Sequence, residues 1–497
     1  MYTLEQRYQE IFYQLDGDLT SQRRFYQQIQ HSTAIYHGEP VEMGFLPKIY
    51  DLTDRLYFAQ VIDQMWQILD KCTREYLDNP DYRKLFGFSD TIEQLICLPV
   101  TYNCTIPVGR FDIFYDDRKR DFRFCEINTD GASAMNEDRE CAAALVESAA
   151  YRRFVGETPL CAQELFQPFI AGILRCYLES KLLSPDHGHD EARAEQGVDA
   201  DGGACDHSVH DHPAKPRIAI IDYLERGTVA EFEQFRQRFE EAGYPCLVAD
   251  VGQLRYHDEQ LWVAPSAEAL AADPLAIERP LDLVYRRCVT SEFADGLASA
   301  GKGEQALVEA VRARRVCLVG HFASQVAHSK MMFRVLHLPE TFELLTPSER
   351  RFVHRHVPLT ARLSEDELSL ERLTEHRERW IIKPCEGYAS AGVYAGRDYG
   401  ASEWEQLLRE CADTDYLAQR FVRQPQTENL ALRPPFAADQ QDHLSSFNTL
   451  TGLFCVRGEF VGSHVRASGQ SVFSGYHDGV CLASMITAEA AAFEGQA

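Results

Sequence analysis

The chain has 497 residues, 45% of them apolar, which is too long for one ordinary domain and ample for a substantial core. Its 50 basic and 76 acidic residues leave a formal charge of −26, which argues against nucleic acid or an anionic membrane as the main partner. The 15 cysteines form no CxxC pair and read as reduced thiols, and with no signal-peptide core and no run of about 18 apolar residues, a cytoplasmic protein is expected.

Residues 1–100 read as a helical scaffold, with apolar side chains three or four apart in Leu56, Phe58, Val61, Ile62, Met65, Trp66 and Leu69. A first core segment, 101–183, opens on two aromatic runs, Phe111 to Tyr115 and Phe122 to Ile127, around a charged turn, which is the pattern of a β-hairpin. Strict alternation puts Arg110, Asp112 and Phe114 on one side of the first strand and Phe122, Phe124, Glu126 and Asn128 on one side of the second. Folded together, they present an arginine and three oxygen ligands. That set suits a magnesium nucleotide, although a solvated surface hairpin would have the same composition. Asp130 and Ser133 follow in a run of small residues before a helix, where they would touch substrate or simply cap.

Residues 184–216 are poor in apolar side chains and rich in Asp, Gly and His, the composition of a disordered linker, and their His187, His189, His207, His210, His212 and Cys205 have no fixed zinc spacing. From 217 to 320 strands and helices alternate, which predicts an inserted Rossmann-like parallel α/β domain. Arg286 and Arg287 lie just past a strand's C-terminal end, where open sheets bind ligands, and Arg286 reads as a sheet-edge residue or a substrate contact. Beyond His321 the pattern returns to mixed α and β. Lys330 sits at a helix start, and Lys383 ends a strand before the small-residue loop that holds Gly387, Ser390 and Gly392. A strand lysine followed by such a loop can hold ATP phosphates, because backbone N–H groups reach the oxygens while the lysine adds charge.

The series Arg110-x-Asp112, Glu126-x-Asn128, Lys330, Lys383-Pro384 with its loop, the strand Tyr416 to Val422 and the late Arg466 resembles the synthetase domain of glutathionylspermidine synthase and its relatives, the circularly permuted ATP-grasp ligases, from about Tyr102 to Ser474. That resemblance implies an ATP-grasp fold divided between 101–183 and 321–497. It implies Asp112, Glu126 and Asn128 as ligands of two magnesium ions, and Arg110 and Arg466 as catalytic arginines. Lys330, Lys383 and Gln419 would bind ATP under a lid from Gly387 to Gly392, with Asp130, Ser133 and Arg286 on the substrate. The implied reaction is an ADP-forming carboxylate–amine ligation through an acyl phosphate, on glutathione or another small peptide with a polyamine or other amine. Departures matter: the loop after Lys383 reads CEGYASAG, the acidic linker is extra, and the amidase domain fused to some members has no counterpart in this sequence. A degenerate ATP-binding scaffold and a ligase acting on a protein tail are the alternatives; oligomeric state is not legible.

Overall fold

A computed structural model describes residues 3–36, 38–182, 215–273, 277–363, 369–387, 390–412, 414–432, 443–473 and 479–492, so the histidine-rich run and Cys205 lie outside the described residues. The early hairpin, Val108–Asp116 with Asp121–Asn128, does not stand alone: its first strand pairs antiparallel with Ser445–Val456, which pairs with Glu459–Ser468 and so with Gly479–Leu482. Two hairpins far apart in sequence are thereby one sheet. The 27-residue helix Leu52–Asp78 covers it, burying Phe58, Val61, Ile62, Met65, Ile68 and Leu69 along one stripe. Asp51 and Asp54 close its N-terminus with a reciprocal capping box.

Strict alternation fails in the hairpin. Asp112 lies opposite Glu126 but Ile113 lies opposite Phe124, so Cys125 is the extra residue of a β-bulge. The bulge moves Phe122 and Phe124 to the side of Ile113 and Tyr115, in the main core, and turns Glu126 and Asn128 toward Arg110 and Asp112. The expected shared face of Phe122, Phe124, Glu126 and Asn128 is therefore corrected. Without the inserted residue, Glu126 would point into the core.

The second sheet is parallel, in the order Cys317–Val319, Leu283–Arg286, Ile218–Asp222, Cys246–Asp250. Ile218–Asp222 is buried at every position, as a parallel strand covered on both faces requires. Helices Val229–Glu241 and Lys302–Arg312 make the crossovers. The chain runs from Ile218–Asp222 outward to one side and then to the other, so the C-terminal ends of Ile218–Asp222 and Leu283–Arg286 flank the crevice at which strand order reverses. A third, antiparallel sheet orders Thr360–Arg362, Tyr416–Arg420, Trp380–Pro384 and Tyr394–Ala395, packed on Trp404 and Leu408, and carries Lys383 and Gln419.

Candidate active site

The three sheets meet around a cavity of about 370 Å³, with a narrower one of about 70 Å³ beside it. Cys125, Glu126, Lys330, Gly387, Gln419 and Arg466 line both, so the two are adjoining compartments of one cleft. The larger volume falls in the range of small-molecule sites.

At the junction, Asp112 is fully buried between two guanidiniums. Arg110 binds it through Nε–Oδ1 at 2.7 Å and Nη2–Oδ2 at 2.9 Å, and Arg466 Nη2 reaches Oδ2 at 2.6 Å and Glu126 Oε1 at 3.4 Å. Asn128 Nδ2 donates to Asp112 Oδ2 and Glu126 Oε1, each at 3.2 Å. Burial pushes the Asp112 carboxyl above its ordinary range in spite of both arginines. Burial also works against charge on Glu126, but there Arg466, a hydrogen bond with Asp112, Lys330 and Arg110 win and hold it well below the usual carboxylate range. Glu126 and Asn128 border the cavity; Asp112 orients the arginines from behind.

This arrangement needs Gly452 opposite Asp112. A Cβ there would stand 2.6 Å from Arg110 Cδ and 2.8 Å from Asp112 Oδ1. Arg110 Nη1 also donates to the Ser133 carbonyl at 2.7 Å, which ties the loop after the hairpin to the site; Ser133 lines the cavity.

Lys330, at the start of helix Met331–Val335, donates to the Gly387 carbonyl at 2.5 Å, and burial lowers its pKa against the pull of Glu126. Glu386 accepts from Gln325 Nε2 at 2.9 Å and Ser329 Oγ at 3.2 Å, so Lys330 stands in the field of two carboxylates. On sequence Glu386 is one residue at the start of a small-residue loop and carries no separate signal. Lys383, at the end of Trp380–Pro384, donates to Gln419 Oε1 at 2.9 Å and the Cys125 carbonyl at 3.4 Å, and Gln419 Nε2 donates to Thr360 Oγ1 at 3.0 Å. Both line the narrow compartment, whose walls include Phe114, Ile381, Val393, Phe421 and Leu450. Ser390 donates to the Phe473 carbonyl at 2.6 Å across that compartment; Gly387 and Gly392 take the positive φ angles of 138° and 69° that glycine tolerates. Residues 388–389, inside the expected lid, lie outside the described residues.

One expected substrate contact, Arg286, is corrected, and a second, Asp130, is already engaged by the fold. Arg286 is buried and fully engaged: Nε donates to the Gly320 carbonyl at 2.7 Å, Nη1 to the Cys288 carbonyl, and Nη2 to Asp130 Oδ1 at 2.5 Å, with Phe322 4.4 Å from its guanidinium. Asp130 borders the cavity, but its second oxygen accepts the Thr290 N–H at 2.6 Å, which leaves the carboxylate committed to the fold. The neighbouring Arg287 is the one that lines the cavity. It donates to Glu231 Oε1 and the Tyr285 hydroxyl, both at 2.8 Å, and its Nε has no partner among the described residues. Gly131 permits the contact between hairpin exit and parallel sheet: its φ is +73°, and a Cβ there would lie 2.5 Å from the Arg287 carbonyl.

In fold, this chain is similar to a glutathione synthetase-like effector. That structure, in apo form and from Globodera pallida, superposes with a TM-score of 0.50 over 94% of this chain and 96% of its own, at 12% identity. The ATP-grasp enzyme ankG of Aspergillus thermomutatus is 27% identical over 158 residues, 27% of this chain and 32% of the relative, so the match spans about a third of that protein. No family model matches. The mixed α/β architecture expected from the sequence is thus a glutathione synthetase-like fold, and among the described residues no helix is long and apolar enough to cross a membrane.

Within this fold, Asp222 ends its strand at the crevice and lines the cavity, and burial raises its pKa to about 7 against the effect of Arg287. A carboxyl whose pKa is higher folded than unfolded contributes stability that is complete below its unfolded value, about 4, and lost as pH rises through about 7. Asp222→Asn keeps the acceptor for the Tyr223 N–H, 2.7 Å away, and is expected to flatten the fall in melting temperature between pH 5 and pH 8. Equal pH slopes in the two proteins would show that Asp222 does not titrate there.

Proposed function

We propose that this protein is an ATP-dependent carboxylate–amine ligase, with the chain order of a circularly permuted ATP-grasp enzyme, that forms an amide through an acyl phosphate and releases ADP. The observation that carries the reading is the convergence of Arg110, Glu126, Asn128, Lys330 and Arg466 on one cavity whose narrow annexe holds Lys383 and Gln419. The glutathione synthetase-like fold and the partial match to an ATP-grasp enzyme support it. The apolar slot between Phe114, Ile381, Val393 and Leu450 suits an adenine ring, and Lys383 at its edge suits a phosphate.

The donor set fits magnesium. Glu126 is firmly ionised, Asn128 offers an amide oxygen once its side chain turns, and Glu386 stands beyond Lys330. Magnesium takes few protein ligands and completes its shell with phosphate and water. When bound, it would offset charge on the transferring phosphoryl group. Arg466 and Lys330 supply fixed positive charge beside that group, and Arg110 keeps the Asp112 pair and the Ser133 loop in register. The wider compartment, with Arg287 and Ser133 on its wall, would receive the carboxylate substrate, glutathione or another short peptide, and the amine.

Incubation with ATP, magnesium, glutathione or short peptides, and polyamines or amino acids is expected to release ADP and phosphate in equal amounts with a new amide detected by mass. ATP binding without ADP release from any pair would leave an ATP-binding scaffold instead.

A further inference from the structure

Amide formation from an alkyl amine raises a need that the phosphate- and metal-binding groups above do not meet. An alkyl ammonium has a pKa near 10, so at neutral pH only about one molecule in a thousand carries the lone pair that attacks an acyl phosphate. Arg110, Arg466 and Lys330 are donors, and Glu126 is held ionised by them at the phosphate end. Asp130 has both oxygens occupied by the fold.

Helix Met135–Leu145 carries a carboxyl of another kind. Glu137 lines the large cavity, is 7% exposed, and its Oε2 is buried with no hydrogen-bond partner among the described residues. Its neighbour Glu231 shows what a structural carboxylate looks like here. Glu231 Oε2 accepts the backbone N–H groups of Ala134, Met135 and Asn136 at 3.0, 2.9 and 3.2 Å, while Oε1 takes Arg287. Three N–H groups at the helix N-terminus are therefore satisfied from outside, the N–H of Glu137 faces its own carboxyl group, and Oε2 is left without a hydrogen-bond partner among the described residues.

Resting on the ligase reading, we propose that Glu137 Oε2 accepts the proton of the attacking amine. The charged and titratable groups that act on or face it are Glu231 from helix Val229–Glu241, Arg287 from the end of the parallel strand, Arg110 from the hairpin, Cys481 from strand Gly479–Leu482 and Asp138 on its own helix. Burial, then the Glu231 carboxylate, raises the Glu137 carboxyl above its ordinary range, against the opposing pull of Arg110 and Arg287. Arg110 separates it from Asp222, the other carboxyl with an elevated pKa on this wall, which answers to Arg287, Glu292 and Arg286. Glu137 is the one of the two in the field of Arg110, whose guanidinium holds Asp112 beside Glu126.

The step balances as follows. An N–H bond of the ammonium breaks, its electron pair stays on nitrogen, and the proton joins Glu137 Oε2. That pair forms the C–N bond at the acyl carbon, the carbon–oxygen bond to phosphate breaks with its electrons on phosphate, and the second N–H proton leaves with the phosphate. Glu137 gives its proton to water before the next turnover.

Hydroxylamine tests this, because it is an unprotonated nucleophile at neutral pH and needs no proton acceptor before attack. With glutathione and short peptides as carboxylates, Glu137→Gln should lose about 100-fold or more in kcat with a primary alkyl amine at pH 7. Hydroxamate formation and ATP affinity should stay within about twofold of wild type, and alkyl-amine turnover should recover as pH approaches the amine pKa. Glu137→Asp should restore part of the rate at pH 7. Parallel loss of hydroxamate and amide with ATP affinity intact would overturn the assignment, as would a selective loss in Asp222→Asn instead. Absence of ADP, hydroxamate and amide in the wild-type protein would defeat the ligase reading itself, a result distinct from either.

Discussion

Glu126→Gln is expected to lower magnesium-dependent ATP turnover by about 10²- to 10³-fold while the fold survives. Glu126 is the carboxylate that borders the cavity and stays charged: Arg466, Lys330 and Arg110 together outweigh the burial that would otherwise neutralise it. Its side chain keeps 35% exposure because it borders the cavity, so glutamine should fit without a packing penalty. The substitution also removes one negative charge among three cations. ATP without magnesium should then bind at least as well as to wild type, and magnesium should add less to its affinity. Titrations of ATP with and without magnesium read this directly. If magnesium strengthens ATP binding equally in both proteins and turnover is unchanged, Glu126 is no part of a metal site. Lys383→Met makes the contrasting case: it should weaken ATP with or without the ion, because Lys383 lies in the narrow compartment against Gln419.

Much of this was legible beforehand, and the exceptions have particular causes. Alternation and strand–helix spacing located the hairpin, the parallel sheet and the lysine strand, because periodicity is a local property. Arg110 and Asp112 meet Asn128 and Glu126 as alternation and folding about the turn predict, but Phe122 and Phe124 lie on the other face, because a bulge leaves no mark in composition: Cys125 looks like any strand residue until its partner strand is known. Arg286 and Arg287 are adjacent and chemically identical, and only the third dimension separates the one bound to Asp130 from the one lining the cavity. Gly452 and Gly131 gave no signal at all. Each matters because another segment comes within 3 Å of where its Cβ would be, and that segment lies elsewhere in the chain. Glu137 is similar. On sequence it is one more acidic residue in a first helical turn, and only the structure shows that Glu231 takes three of the N–H groups there and that Glu137 Oε2 has no hydrogen-bond partner among the described residues.

Asp130→Ala should destabilise the protein by about 3–5 kcal/mol, the cost of breaking a buried ion pair from one side. Arg286 and Asp130 have side-chain exposures of 0% and 1%, and the aspartate also takes the Thr290 N–H, so its removal strands a guanidinium and a backbone donor together. The pair bridges the hairpin exit, one residue from Gly131, to the end of the parallel strand, which makes it a joint between two sheets as well as a charge pair. Replacing both partners, Asp130→Ala with Arg286→Met, removes the orphaned charge, so the double variant should be more stable than Asp130→Ala alone. Denaturant midpoints of the three proteins make the cycle. A single variant within about 1 kcal/mol of wild type would mean that the guanidinium is adequately served by the Gly320 and Cys288 carbonyls and Phe322, and that the joint is held by packing around Gly131 instead.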